Sequence, residues 1–285
     1  MFKIAADSSS NVLSMPGTDY ASVPLKIRAE KEYVDDANLD VAGMVADLRV
    51  YKGKSGSSCP NVGEWMEAFG DAEEVFGVTI TKHLSGSYNA ARQAAESYME
   101  ENPGRKAFIF DSLTAGPGLM MIVEKIRECE AAGDDYETTK EKVLDYHNHC
   151  HTLVLLESMM NLARNGRVPV AVAKLAGMLG IRVVCAAEGG EIAALHKPRG
   201  ARKAMEVLMH EFKARGFVDG GKVRIAHCFA EAQANAFKEA VLAQFPNAQI
   251  VIEPTTALCS FYAEEGGVII GFEGIFNEKN NNSKF

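Results

Sequence analysis

Short apolar runs alternate with amphipathic segments through the first half of the chain. Runs with the length and the loose apolar–polar alternation of strands are at 2–6, 23–34, 77–81 and 106–111. Segments with helical spacing of apolar residues are at 39–49, 62–69, 87–99 and 118–132. Strands that alternate with helices predict a doubly wound, mainly parallel sheet that is covered on both faces.

The second half continues this alternation. Strand-like runs are at 153–156, 181–186, 223–229 and 249–253. Predicted helices are at 136–149, 202–215 and 231–245. The 285 residues suffice for two domains. We therefore predict an α/β protein with an N-terminal domain at 1–150 and a C-terminal α/β sheet domain at 151–285. A short asparagine-rich tail, 280–283, is expected to be frayed.

Polar residues follow three of the predicted strands. They are Asp7-Ser8, the segment 81–87 and Asp111-Ser112. In doubly wound sheets the ligand crevice lies beyond the carboxyl ends of the strands. The sequence therefore predicts a crevice with a rim rich in hydroxyl groups.

Charge and cysteine content narrow the function classes. The chain has 30 Lys+Arg against 38 Asp+Glu, a net charge of −8, which argues against a nucleic-acid partner. Its six cysteines show no C-x-x-C spacing, so reduced thiols are expected and a disulfide framework or zinc ribbon is not. The longest fairly apolar region, 168–187, is interrupted by Lys174 and Arg182. We expect a soluble, cytoplasmic protein.

The segment Gly53-Lys54-Ser55 looks like the end of a phosphate-binding P-loop. That motif needs a glycine five residues before Gly53, directly after a strand. Position 48 is Leu48, inside a predicted helix. A nucleotide-binding loop is therefore not predicted.

The segment 147–151, His-Asn-His-Cys-His, has residue types that bind metals. It lacks the glutamate of an H-E-x-x-H motif, and no second ligand cluster accompanies it. Histidines also suit the negative end of a helix. We predict a polar helix end here and no metal site.

Leu84-Ser85-Gly86-Ser87 joins a predicted strand to a predicted helix. The turn lacks the first glycine of G-x-S-x-G, and His83 is too close in sequence to serve Ser85 as a base, which argues against a serine hydrolase. Unpaired N–H groups at a helix start bind anions, and a glycine lets a ligand approach the backbone. An ordinary N-cap uses the same residues. The turn alone leaves both interpretations open.

Several short motifs are spread over nearly the whole chain. They are Ala6-Asp7-Ser8-Ser9, Val23-Pro24-Leu25, Ser57-Ser58-Cys59-Pro60, Leu84-Ser85-Gly86-Ser87-Tyr88, Phe110-Asp111-Ser112, the stretch 162–168 and Gly266-Gly267. In this order and spacing they resemble the DegV family of fatty-acid-binding proteins. The resemblance implies a two-domain α/β protein that holds a long-chain fatty acid in a tunnel between its domains.

The resemblance also implies which residues bind the carboxylate. In the family a Thr-Ser-Gln-Pro loop and a Leu-Ser-Gly-Thr-Tyr turn supply hydroxyls, and these positions fall here on Ser57 and Ser85. We accordingly expect Ser57, Ser58, Ser85 and the Gly86 N–H to bind the carboxylate. Arg167 is expected to supply a nearby positive charge.

The chain departs from the family pattern in the proposed head-group region. Cys59 stands where the family has glutamine, and Asn165 replaces a glycine before Arg167. Many members have a histidine where this chain has Tyr262. A phenol donates a hydrogen bond but carries no positive charge. We expect Tyr262 to bind the carboxylate without supplying an imidazolium.

We therefore predict a non-catalytic carrier without a cofactor, which presents a long-chain fatty acid to a soluble fatty-acid kinase for acyl-phosphate formation. We expect a monomer, with room for transient membrane contact. The alternative is an enzyme that uses the same crevice, either an acyl hydrolase or a small-carboxylate transferase. An enzyme needs a titratable group near Ser85, for which the sequence offers His83, His227 and Asp7.

Twelve methionines include pairs at 120–121 and 159–160. Methionine adapts to irregular surfaces, so these pairs suit either the wall of a lipid tunnel or ordinary core packing. The sequence leaves both interpretations open.

Overall fold

The computed structural model describes residues 2–176 and 180–275. Its strands in chain order are β1 Lys3–Asp7, β2 Tyr20–Val23, β3 Lys26–Arg28, β4 Glu32–Val34, β5 Gly56–Ser58, β6 Glu74–Thr79, β7 Lys106–Asp111, β8 Cys150–Leu156, β9 Val183–Glu188, β10 Glu191–His196, β11 Lys222–His227, β12 Gln249–Pro254 and β13 Val268–Glu273. Its α-helices are α1 Val41–Val50, α2 Val62–Phe69, α3 Ser87–Glu101, α4 Pro117–Ala131, α5 Tyr136–His147, α6 Met160–Arg164, α7 Val170–Ala176, α8 Ala201–Ala214, α9 Glu231–Leu242 and α10 Ala257–Ala263.

The first sheet is parallel throughout, with the strand order β2-β1-β6-β7. Helices α2 and α3 pack on one face, where Trp65 and Phe69 are fully buried. Helix α4 packs on the other face against Phe76, which stacks on Tyr136 of α5. Apolar side chains therefore cover both faces of this sheet, as the near-continuous apolar runs predict.

The second sheet is mixed, with the order β10-β9-β8-β13-β11-β12. Among its neighbouring strands β11 and β12 are parallel, whereas the other pairs are antiparallel. Helices α8 and α9 cover one face, where Phe212 contacts the rings of Phe237 and Phe272.

Helix α4 also contacts the second sheet through β8, β11 and β13. Gly271 on β13 allows this close approach, since a Cβ added there would lie 2.6 Å from the Gly118 nitrogen and from the Pro117 carbonyl carbon. Further along the helix Glu124 accepts a 2.9 Å hydrogen bond from Arg224 of β11. The helix therefore joins the two sheets.

A third sheet corrects two sequence predictions. The run 23–34, predicted as one strand, is broken into β2, β3 and β4, and the predicted loop 53–61 contains β5. Strand β3 pairs with both β4 and β5 in this small antiparallel sheet. It packs on α1 and α10 through Ile27, Met44 and Phe261. Pairing with β3 fixes the position of Ser57 and Ser58.

Most other predicted elements are present with ends within a few residues of the predicted ones. Helix α2 and strand β7 have the predicted bounds. Five further elements are not predicted by the sequence pattern: β10, β13, α6, α7 and α10. The predicted tail lies outside the described residues. No helix within the described ranges is both long and apolar enough to cross a bilayer.

Candidate functional site

A cavity of about 310 Å³ lies where loops of the parallel sheet meet β8, β9 and α10. Its volume is in the range of small-molecule sites, and most of its wall is apolar. The apolar lining residues are Leu25, Ile80, Leu84, Ala115, Val154, Leu156, Leu162, Ala186, Ala187, Ile192, Leu258, Ala263 and Ile269. The cavity adjoins the predicted crevice, since Thr81 and Ser85 follow strand β6.

The structure brings all six sequence-predicted site residues to this cavity. We call Ser57, Ser58, Ser85, Gly86, Arg167 and Tyr262 the head-group cluster. Its polar groups come from β5, the turn before α3, the segment after α6, and α10. Gly86 is exposed, whereas the three serines are half-buried. The cluster therefore lies at a mouth of the cavity.

Ser57 and Tyr262 are joined directly. The Ser57 Oγ and the Tyr262 hydroxyl lie 2.7 Å apart, and either is able to donate the hydrogen bond. Ser58 differs from Ser57, since its buried Oγ has no hydrogen-bond partner among the residues that the structure describes. Leaving a buried hydroxyl without a hydrogen-bond partner costs free energy. A hydrogen bond to a ligand oxygen would remove that cost.

The two serines around Gly86 have different roles. The Ser87 Oγ is buried and donates a 2.7 Å hydrogen bond to Asp7, so this serine ties α3 to β1. The Ser85 Oγ lines the cavity and accepts a long, 3.3 Å hydrogen bond from the Ser87 N–H. Gly86 is the N-cap residue and supplies no side-chain cap. Weak capping leaves the helix start available to an anion.

Asp7 supports the turn from inside the protein. It is fully buried and also accepts hydrogen bonds from the Ser9 Oγ at 2.5 Å and the Ile80 N–H at 2.9 Å. Burial raises the pKa of Asp7 to about 6, although these hydrogen bonds act in the opposite direction. Asp7 does not line the cavity. It is a structural anchor for the Ser85 turn.

Arg167 brings a positive charge to the cluster. Its Nε donates a 3.2 Å hydrogen bond to the Leu84 carbonyl, which fixes the arginine beside the Ser85 turn. Its guanidinium lies 5.8 Å from the centre of the Tyr262 ring, a cation–π distance. Arg167 therefore links the turn to α10.

Asp35 supports the site and is not among the residues predicted from the sequence. Its buried carboxylate accepts hydrogen bonds from the N–H groups of Ala257 at 2.7 Å and Leu258 at 3.1 Å. Burial raises the pKa of Asp35 to about 6. Asp35 thus caps α10, the helix that carries Tyr262. No sequence signal links them, because the cap comes from more than 200 residues away.

The other residues singled out in the sequence do not form part of the cavity lining. They include His83, His227 and Asp7. The His147 ring contacts the Ser112 carbonyl and the His151 ring contacts the Ile275 carbonyl. Among the described residues no group of His, Cys, Asp and Glu is arranged to hold a metal.

Methionines are absent from the cavity lining within the described ranges. Met120 and Met121 of α4 are buried, as is Met159. These positions support the interpretation as core packing and not as the wall of a lipid tunnel.

Comparisons with known proteins give a consistent result. A family model described as "Uncharacterised protein, DegV family" matches residues 1–273. A DegV domain-containing protein of Streptococcus pneumoniae is 36% identical over 278 residues, which cover 95% of this chain and 99% of the relative.

Two solved structures are similar along almost their whole length. One is a DegV family protein from Eubacterium eligens loaded with heptadecanoic acid, with a TM-score of 0.93, 35% identity, and coverage of 96% of this chain and 100% of that one. The other is the fatty acid kinase (Fak) B3 protein of Streptococcus pneumoniae loaded with linoleic acid, with a TM-score of 0.93, 36% identity, and coverage of 96% and 99%. The chain belongs to the DegV family.

Proposed function

We propose that this protein binds a long-chain fatty acid, with the hydrocarbon tail in the cavity and the carboxylate at the head-group cluster. The observation that carries the proposal is an apolar cavity with hydroxyls and an arginine grouped at its mouth. The similar proteins from Eubacterium eligens and Streptococcus pneumoniae, which hold fatty acids, support it.

The tail and the head group contribute differently to binding. Each buried CH₂ contributes about 0.8 kcal/mol, so the tail of palmitic acid contributes on the order of 10 kcal/mol before the costs of association. Hydrogen bonds from Ser57, Ser58, Ser85 or Tyr262 to a carboxylate contribute roughly 1.5–3 kcal/mol each. The tail therefore sets the affinity, and the head-group cluster sets the direction of the acid and the preference for it.

The same geometry favours a carrier over an enzyme. Among the described residues that line the cavity there is no histidine, and the carboxylate there is Glu191, an exposed residue in the β9–β10 hairpin. A hydrolase acting through Ser85 needs a base within hydrogen-bond reach. The sequence candidates His83, His227 and Asp7 lie outside the lining. We infer that the protein is not an enzyme and that it needs no cofactor.

We further propose that a soluble fatty-acid kinase acts on the bound acid. One similar protein is named as a fatty acid kinase B3 protein, which supports such a partner. The exposed Gly86 and half-buried serines would leave a carboxylate within reach from outside. A monomeric, cytoplasmic carrier that contacts the membrane only transiently fits this role.

The proposal is tested by comparing palmitic acid with hexadecanol. Ser85→Ala is expected to weaken the binding of palmitic acid about 10-fold and that of hexadecanol much less. The reason is that a hydrogen bond to a charged acceptor contributes more free energy than one to a neutral acceptor. Ser22→Ala, which alters a β2 serine outside the cavity lining, is the matched control. Both affinities are measured by displacement of a fluorescent fatty acid. Equal losses for acid and alcohol, or no loss for either, would contradict the proposed carboxylate site.

A further inference from the structure

A second polar group lies within the cavity and begins next to the head-group cluster. We call Thr81, Thr114 and Thr152 the threonine patch; all three line the cavity. They come from the loop after β6, the loop before α4, and β8. Thr81 is fully buried, and Thr114 and Thr152 are 9% and 5% exposed. Valine has nearly the same shape as threonine but no hydroxyl. Three threonines are therefore unexpected in the wall of a cavity that binds an alkyl chain, because burying their hydroxyls costs free energy.

The patch is one connected group. The Thr114 Oγ1 donates a 2.8 Å hydrogen bond to the Thr152 Oγ1, and the Thr81 N–H donates to the Thr114 carbonyl at 3.0 Å. Gly118 makes room for it, since a Cβ there would lie 2.2 Å from the Thr152 Oγ1. On the other side, a Cβ at Gly190 would lie 2.5 Å from the Thr81 Oγ1, so the β9–β10 turn packs against Thr81.

The hydrogen-bond inventory leaves donors unused. Each hydroxyl has one hydrogen to donate. The Thr81 Oγ1 accepts from the His83 N–H at 3.3 Å, and its own hydrogen has no acceptor among the described residues. Thr114 uses its hydrogen on Thr152 at 2.8 Å, since its other acceptor, the Ala115 carbonyl, is 3.4 Å away. The hydroxyl hydrogen of Thr152 therefore also has no acceptor within the part of the chain that the structure describes.

The patch extends along the cavity from the head-group cluster. Thr81 lies beside the Ser85 turn, since its carbonyl accepts hydrogen bonds from the N–H groups of Leu84 at 3.1 Å and Ser85 at 3.2 Å, whereas Thr152 lies on β8. Alternate residues of β8, Thr152, Val154 and Leu156, line the cavity. Leu156 belongs to the apolar group that packs against Tyr262. At about 3.3 Å per residue, Thr152 lies about 13 Å along β8 from Leu156.

We propose that the preferred ligand is a fatty acid with an oxygen substituent, a hydroxyl or a keto group, on its chain, and that Thr81 and Thr152 donate hydrogen bonds to that oxygen. This inference rests on the proposed function. A plain alkyl chain leaves both buried donors without a partner, whereas a chain oxygen satisfies at least one. The patch thus selects among long-chain acids that the head-group cluster binds alike.

The test is competitive loading of the delipidated protein, read by native mass spectrometry. Stearic acid competes with each member of a positional series of monohydroxystearic acids and with the matching oxostearic acids. A neutral hydrogen bond predicts that at least one oxygenated acid outcompetes stearic acid by about 2- to 12-fold. A hydroxy acid and a keto acid with oxygen at the same carbon should both be favoured, because the patch supplies donors.

Variants assign the preference to the patch. Thr81→Val and Thr152→Val together should abolish it and leave stearic acid binding within about twofold, since no hydrogen bond to an unsubstituted chain is lost. Thr139→Val, at a fully buried threonine of α5 outside the lining, is the matched control.

The outcomes separate this inference from the proposed function. Stearic acid bound with no oxygenated acid favoured in the wild-type protein overturns the inference and leaves the carrier intact. The inference is also overturned if the double variant still prefers an oxygenated acid. It is overturned as well if the double variant loses affinity for stearic acid as much as for the oxygenated acids. Failure of the wild-type protein to take up any of these acids contradicts the carrier itself.

Discussion

Tyr262→Phe removes one hydroxyl from the head-group cluster and little else. The phenol oxygen lies 2.7 Å from the Ser57 Oγ, and the ring lies 5.8 Å from the Arg167 guanidinium carbon. Phenylalanine keeps the ring, so its packing and its cation–π contact remain. The variant therefore isolates the contribution of the hydrogen bond.

The expected loss follows from this geometry. A hydrogen bond to a charged acceptor contributes roughly 1.5–3 kcal/mol. Because Tyr262 and Ser57 already bond each other, binding exchanges one partner for another, and the lower value applies. Palmitic acid should therefore bind about 10-fold more weakly, whereas hexadecanol should change by less than about threefold. The free energy of unfolding of the free protein should fall by about 1 kcal/mol.

The assay is displacement of a fluorescent fatty acid at pH values from about 6 to 8. Tyr98→Phe is the control, because the Tyr98 hydroxyl donates to the Ala72 carbonyl in the core beside α3, outside the cavity lining. Tyr262→His adds a further test. Its affinity for palmitic acid should rise as the pH falls below about 6.5, because an imidazole gains a positive charge there. The wild-type protein should show no such gain from Tyr262, because a phenol carries no positive charge.

Palmitic acid bound by Tyr262→Phe as tightly as by the wild-type protein would refute the role of Tyr262. So would a Tyr98→Phe variant with the same loss of affinity, since that result would indicate a general effect on the fold.

The remaining predictions concern the tail, the sheet contact and a buried carboxylate. Shortening the acid by one methylene at a time should weaken binding about fourfold per carbon while the tail stays within the cavity, as measured by calorimetry; a flat series would exclude burial of the tail. Gly271→Ala should lower the free energy of unfolding by about 1–3 kcal/mol or more in urea titrations, because its Cβ meets the α4 backbone at 2.6 Å; unchanged stability would contradict that close approach. Burial raises the pKa of Asp7 from 3.8 to about 6, so the folded protein keeps a proton that the unfolded chain releases at lower pH, and stability falls as the pH rises between these values. Asp7→Asn should reduce that fall by on the order of 3 kcal/mol, and parallel pH profiles of stability for the two proteins would contradict the raised pKa.

Local signals allowed much of the fold to be predicted from the sequence. Helix α2 is capped by Asn61, whose side chain forms a capping box with Glu64, and its apolar residues recur with helical spacing. Strand β7 is an apolar run between polar ends. In both elements the residues that mark each end lie within the element or directly beside it in the chain.

Elements defined by distant residues were missed. Helix α10 has no side-chain cap of its own at Thr256, and its N–H groups bond to Asp35 instead. Strand β13 is buried almost throughout, so its apolar run lacks the alternation that marks a half-buried strand. Strand β5 is only three residues long and is fixed by pairing with β3.

The candidate site shows the same division. The Ser85 turn is recognisable locally as a helix start with a glycine. The Ser57–Tyr262 contact joins residues 205 positions apart. Both were predicted as site residues from the resemblance to a family and not from a local pattern of residues. The burial of the Ser58 Oγ, which has no partner among the described residues, and the threonine patch both depend on three-dimensional packing that no local pattern encodes.

Native mass spectrometry of the protein as purified from a bacterial host, followed by organic extraction and identification of the released molecule, shows whether the protein carries a fatty acid. We expect one long-chain fatty acid per protein chain, lost on extraction and restored on incubation with palmitic acid. A protein that carries no acid and takes up none on incubation would contradict the proposed function.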